Sequence, residues 1–193
     1  MNNFEYKIQT TWDDRRIDHD PVSLKFESID DESLIIKIDA PFFGDPEQPK
    51  QRAGEFFNLW DYEVAEAFFL NEEGKYLELE FGPYNHFLVI LLDGVRQVFK
   101  QDLQIEYKAQ INGNRWTGIG KIPESLFPRM TTKMNAYAIH GSNVSRVYES
   151  LYPTPFGKYQ NPDFHRLDYF QPIDFKSLLP LNWNRSNSSD YWN

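Results

Sequence analysis

Three acids, Asp61, Glu63 and Glu66, follow directly on Trp60 in the run LWDYEVAEAFFL. Carboxylates this close together can perform acid/base chemistry on a glycosidic bond, accept hydrogen bonds from sugar hydroxyls, or hold calcium through oxygen ligands. A flat indole beside them offers a surface for the C–H face of a pyranose, while charged groups bond its hydroxyl rim. If residues 61–70 form a strand, Asp61 and Glu63 share one face and Glu66 points to the other. A bulge or a helical turn in LWDYEVAEAFF changes that assignment. The competing reading of all three is a solvated acidic face in an acidic protein.

Few other residues compete for a chemical role. His19, His86, His140 and His165 stand at no metal-ligand spacing from one another, and each reads as a hydrogen-bonded structural histidine. His140 stands out because it ends a strand just before Gly141 and a polar loop. No nucleophile elbow, P-loop, dinucleotide fingerprint, zinc-protease helix or EF-hand loop is present. The segment Gly118–Lys121 (GIGK) lacks phosphate-loop spacing and reads as a β-bulge or an edge strand. Trp12, Trp60, Tyr84, Tyr148 and Tyr152 all lie beside expected loops.

The elements that must position these groups read as short strands. Phe4, Tyr6 and Ile8 alternate with polar residues, as do Val22, Leu24 and Phe26, and LIIKIDA over residues 34–40 is β-rich. Tyr76, Leu77 and Leu79 interleave with Glu78 and Glu80, the pattern of a half-buried strand. Phe87–Leu92 is continuously apolar and too short for a typical helix, which suits a strand buried on both faces. Asp93-Gly94 and Asn112-Gly113 supply hairpin-turn chemistry. Strands are also expected over 95–100, 103–109, 134–140 and 148–152, with a helical turn in PESLF and a short helix over 174–179. Residues 41–54 (PFFGDPEQPKQRAG), with three prolines and two glycines, read as a long loop anchored by Phe42 and Phe43. The regular spacing of turn signals predicts an all-β antiparallel fold, a sandwich or a barrel, with few short helices. It comprises one domain over residues 1–185 and a loose polar tail over 186–193.

Composition narrows the partners. The chain of 193 residues carries a formal net charge of −9, which disfavours nucleic acid or an anionic membrane, both of which need a cationic patch. It has no cysteine, so disulfides, thiolate metal sites and cysteine nucleophiles are excluded. Neither a signal peptide nor an apolar run of membrane-spanning length is visible, and the expectation is a cytoplasmic monomer.

The runs LWDYEVAEAFFL, YLELEFGP, AIHG, YESLYP and PDFHRLDYF closely resemble a eukaryotic small-protein family of the UPF0462 type, over nearly the whole chain. That resemblance implies no activity. A more distant one is to the family 9 carbohydrate-binding modules, calcium-containing β-sandwiches that hold sugar ends between two tryptophans. It implies an all-β antiparallel β-sandwich of jelly-roll type, in which Trp60 matches one sandwiching tryptophan and Glu66 matches an acid bonding the sugar. The second tryptophan has no counterpart; the matching region, SRVYESLYP, offers only Tyr148 and Tyr152.

The leading expectation is non-catalytic binding of a carbohydrate or similar polyhydroxylated small ligand. Trp60 is the platform, Asp61, Glu63 and Glu66 accept hydroxyl hydrogen bonds, and His140 and Arg146 donate from the opposite loop beside Tyr148 and Tyr152. Calcium is the one cofactor considered, with no position assigned. Two alternatives remain: a small hydrolase or isomerase using Glu63 or Glu66 with His140, and a protein-interaction module that meets its partner through aromatic loops.

Overall fold

The computed structural model describes residues 3–193; residues 1 and 2 of the expected domain lie outside them. Strands β1 (Asn3–Ile8), β2 (Thr10–Thr11), β3 (Val22–Ser28), β4 (Ser33–Pro41) and β5 (Gly54–Glu55) precede the centre of the chain. There β6 (Val64–Asn71), β7 (Lys75–Phe81), β8 (His86–Asp93) and β9 (Val98–Lys100) form an antiparallel meander. β10 (Glu106–Asn112), β11 (Arg115–Pro123), β12 (Thr131–His140), β13 (Val147–Ser150) and β14 (Gln171–Pro172) follow, and then helices α1 (Phe175–Leu178) and α2 (Pro180–Asn184).

They build two packed sheets, an all-β antiparallel sandwich, one of the two forms that the turn spacing allows. One has the order β1-β3-β4-β11-β10. The other runs β2-β13-β12-β6-β7-β8-β5, with β14 added on β12 and β9 on β8. Pairing is antiparallel except between β5 and β8. Between the sheets lies the main core, where the alternating residues of β3 and β4 meet Ala65, Ala67 and Phe69 of β6 and Leu77, Leu79 and Phe81 of β7. The other side of the second sheet is apolar as well. Val64, Phe68, Tyr76, Leu88, Ile90, Tyr137 and Ile139 form a second cluster there, with Phe164 and Phe170 from the irregular segment before β14. This double burial is why Phe87–Leu92 is uniformly apolar: one face of β8 serves each cluster.

The Asn112-Gly113 hairpin forms, but its register pairs Asn112 with Arg115, so Gly113 and Asn114 make the turn. Gly113 has φ +64°, where glycine carries no Cβ penalty. Three expectations need correction. GIGK is neither a bulge nor an edge, since β11 lies between β4 and β10 in unbroken register. Its glycines make room for aromatic rings: a Cβ on Gly118 would lie 2.7 Å from the Tyr107 hydroxyl and 3.1 Å from the Trp116 ring. Gly118→Ala should therefore destabilise the fold by about 1–3 kcal/mol, read as a lower urea midpoint with an unchanged slope. The end of the chain is not loose either. Trp192 is buried and its Nε1–H donates to the Leu126 carbonyl at 3.1 Å. The third correction, at Asp61, concerns the site.

Candidate functional site: a cleft on the outer face of the second sheet

The expected strand over 61–70 begins only at Val64. Asn58 takes φ +72° and Leu59–Asp61 closes a 3-10 turn. Asp61 is consequently exposed on that turn and shares no strand face with Glu63. The turn carries Trp60 over the outer face of the second sheet, half-buried, with its ring edge-on to Phe57 at 5.0 Å. Arg146 fixes it there by donating to the carbonyls of Trp60, Asp61 (3.0 Å) and Gly141 (3.2 Å) and to the Tyr148 hydroxyl (3.1 Å). Arg146 thus positions the turn, with its donors engaged by the protein itself.

Under Trp60 opens a cleft of about 300 Å³, at the lower end of the range for small-molecule sites. Its walls are aromatic, including Phe57, Trp60, Tyr148 and Phe164, and Phe68, Ile90 and Ile139 lie beneath. Three acids line it: Glu66 from β6, Glu78 from β7 and Asp163 from the irregular segment before β14. Glu66 pairs across the strands with Glu80, and Glu78 lies diagonally from it, so three carboxyls crowd one face. All three are buried; Glu66 Oε1 has no hydrogen-bond partner, and the Glu78 and Glu80 carboxyls hydrogen-bond to each other when one holds a proton.

Burial dominates their titration, because a charged carboxylate is poorly solvated there. Burial, with the Glu78 charge, holds Glu66 well above the ordinary carboxylate range. Burial and the charges of Glu66 and Glu78 do the same to Glu80. Burial raises Glu78 to about 7. These groups act as a shared set of protons at the cleft floor. A carboxyl that keeps its proton both donates and accepts, as a hydroxyl does.

The far wall comes from PDFH. Asp163 accepts from the Arg96 guanidinium at 2.7 Å and from the His165 amide at 3.0 Å. Burial, then the Arg96 charge, pushes His165 down to about 4, so the ring is neutral at pH 7. The Tyr76 hydroxyl accepts from the Arg96 amide at 2.9 Å and lies 2.7 Å from His165 Nδ1. With His165 Nδ1 engaged by that hydroxyl, its Nε2 lies 4.0 Å from Glu78 Oε2.

Of the residues singled out in the sequence, the cleft gathers Trp60, Glu66 and Tyr148. Glu63 and His140 lie elsewhere. By strand alternation they share the opposite side of the sheet from Glu66, where the Glu63 carboxylate accepts the amides of Phe43 (3.2 Å) and Gly44 (2.8 Å). Glu66 and His140 thus converge on no common substrate position. Tyr152 packs against the main core and donates its amide to Asn135. The sequence reading missed Glu78, Arg96, Asp163 and His165. Glu78 looks like the solvent face of an alternating strand, and only PDFHRLDYF, quoted above for its resemblance, touched the far wall.

For calcium, no three carboxylates among the described residues bring ligand atoms within 4.8 Å of one another. Their one close set of metal-type side chains is His19, His140 and Glu149, whose ligand atoms all lie within 4.8 Å of one another. Imidazole nitrogen is not calcium chemistry.

The architecture is shared with solved structures. A candidate carbohydrate-binding protein from Bacteroides uniformis ATCC 8492 aligns with a TM-score of 0.63 at 14% identity, over 88% of this chain and 84% of that one. A family 9 carbohydrate-binding module from Caldicellulosiruptor kristjanssonii, in complex with glucose, aligns at 0.42 and 14% identity over 87% and 82%. The first of these shows the fold class. No family model matches the chain. The UPF0462 protein C4orf33 homologue of Rattus norvegicus is 44% identical over 193 residues, 97% of this chain and 96% of its own length. This chain belongs to the UPF0462 C4orf33 family.

Proposed function

We propose that this protein binds a saccharide, or a similarly polyhydroxylated small ligand, in the cleft beneath Trp60 and does not transform it. One observation carries the reading: buried carboxyls of Glu66 and Glu78 reach the floor of an open, aromatic-walled cleft, and Glu66 Oε1 has no partner within the protein. An unpaired buried oxygen costs free energy that a ligand hydroxyl would recover. The Trp60 face receives the C–H face of the sugar ring, and His165 Nε2 and the protonated carboxyls meet the hydroxyl rim. Sharing a fold with a candidate carbohydrate-binding protein supports the reading only as far as fold ever supports function.

The test is thermal unfolding and calorimetric titration against a panel of mono- and oligosaccharides. A saccharide present at 100 times its dissociation constant should stabilise the wild type by roughly 2.7 kcal/mol. Trp60→Ala should weaken that binding at least tenfold, about 1.4 kcal/mol, while the circular dichroism spectrum stays unchanged because Trp60 sits on a surface turn. If no saccharide moves the wild-type transition at millimolar concentration, the proposal is wrong.

A further inference from the structure

On the side of the second sheet away from the cleft, three residues distant in sequence meet. β13 pairs antiparallel with β12, placing Glu149 opposite Ala138 and so diagonal to His140 on the same face. β2 pairs with β13, and the chain leaving β2 brings His19 in from the other side. His19 Nε2 and His140 Nε2 both lie 2.9 Å from one atom, Glu149 Oε1. Glu149 is fully buried, and its other oxygen, Oε2, has no hydrogen-bond partner.

Hydrogen-bond accounting requires a cation between them, either a second proton on the His19 ring or a metal ion. His19 Nδ1 lies 2.9 Å from the Asp20 carbonyl, which can only accept, so Nδ1 carries the ring proton. A neutral His19 then presents a bare Nε2 lone pair to a carboxylate oxygen, and Nε2 is buried with no hydrogen-bond partner. Two lone pairs facing at this distance repel unless a cation lies between them. An imidazole whose far nitrogen is tied to a backbone carbonyl is the usual outer arrangement of a metal-bound histidine. The surroundings are rigid. The Phe43 ring stacks on His140 at 3.6 Å and meets His19 edge-on at 5.0 Å, and its backbone amide is held by Glu63.

We propose that His19, His140 and Glu149 form a binding site for one divalent transition-metal ion of the Zn2+ class, with two imidazole nitrogens and one carboxylate as ligands. Zinc takes imidazole nitrogen and carboxylate oxygen at about 2.0–2.2 Å in tetrahedral geometry, which sets ligand atoms roughly 3.3 Å apart. The two nitrogen–oxygen separations need open by only about 0.4 Å to seat such an ion. Glu149 Oε2 then has a positive charge to face, and a fourth position remains for water.

The experiment strips the full chain with chelator, desalts it, and adds Zn2+ alone. Bound metal per chain is measured by elemental analysis, and affinity by competition with a chromophoric chelator. The wild type should retain one Zn2+ per chain and, with Co2+, show the intense visible absorption of a tetrahedral site. His19→Ala should weaken binding by more than about 100-fold, since loss of outer partners alone costs 10–100-fold. His19 enters from a loop, so this variant should keep its circular dichroism spectrum; His140→Ala and Glu149→Gln provide a second and a third arm. Failure of the wild type to retain Zn2+ would mean that a proton bridges the three residues, and would overturn the proposal. Retention undiminished in both His19→Ala and His140→Ala would overturn it as well.

Discussion

Replacing Glu78 by glutamine should make the protein more stable at pH 7.5 by roughly 3 kcal/mol and change little at pH 4. In the unfolded chain Glu78 ionises near its ordinary 4.5, whereas in the fold burial keeps it protonated to about 7. Between those values the folded state binds more protons than the unfolded one, so stability falls as pH rises. Below 4.5 both states hold the proton and no cost is present. Above 7 both are ionised and the cost is constant, at 1.36 kcal/mol for each pH unit between 4.5 and about 7. Glu66 and Glu80, also raised, act with the same sign. Glu149 and Asp163 are lowered by their partners, and their contributions are lost toward acid, which bends the raw pH curve the other way. The informative quantity is therefore the difference between wild type and Glu78→Gln, from urea unfolding at a series of pH values. A difference that stays flat across pH 4–8 would sink the idea. Carboxyls that weaken the fold at neutral pH, on the floor of an open cleft, are what a binding site retains at the expense of stability.

The strands were legible in the sequence wherever local pattern and burial agree. Val22, Leu24 and Phe26 alternate because β3 has one face on the main core, and Phe87–Leu92 is apolar throughout because β8 has two. Reading failed where burial comes from distant chain. Glu78 and Glu80 alternate with Tyr76, Leu77 and Leu79 as solvent-facing acids would, yet the segment around Phe164 covers that face, and burial raises both carboxyls above the ordinary range. Trp192 lies in a polar tail whose docking depends on the Leu126 carbonyl, far back in the chain.

The candidate sites follow the same division. Trp60, Glu66 and Tyr148 line one cleft, and an indole beside acids is a signal that local sequence carries. Glu63, three residues before Glu66, goes to the opposite side of the sheet, since a strand turns every odd step over. His19 and His140 show no metal spacing in the sequence. Only the pairing of β2 with β13 and of β13 with β12 brings them to Glu149, and register of that range is invisible to motif reading.

Phe69→Ala should cost about 3–5 kcal/mol of unfolding free energy, the largest single-residue effect we anticipate. Phe69 has no exposed surface and points from β6 into the space between the sheets. Its ring lies 5.4 Å from Phe26 of β3, 5.0 Å from Phe127 and 5.6 Å from Phe175 of α1. It therefore joins the first sheet, the second sheet and helix α1 at one point. Truncation removes the transfer free energy of the ring and leaves a cavity that these rigid neighbours cannot close. The neighbouring Phe68 is just as buried but faces the other way, against Tyr137 at 5.3 Å and His165 at 5.6 Å. Phe68→Ala should therefore reach the cleft and its ligand, whereas Phe69→Ala should lower the urea midpoint and leave the saccharide affinity of the folded fraction intact. A loss below about 1.5 kcal/mol at Phe69 would mean that the two sheets are held together by something other than this aromatic centre.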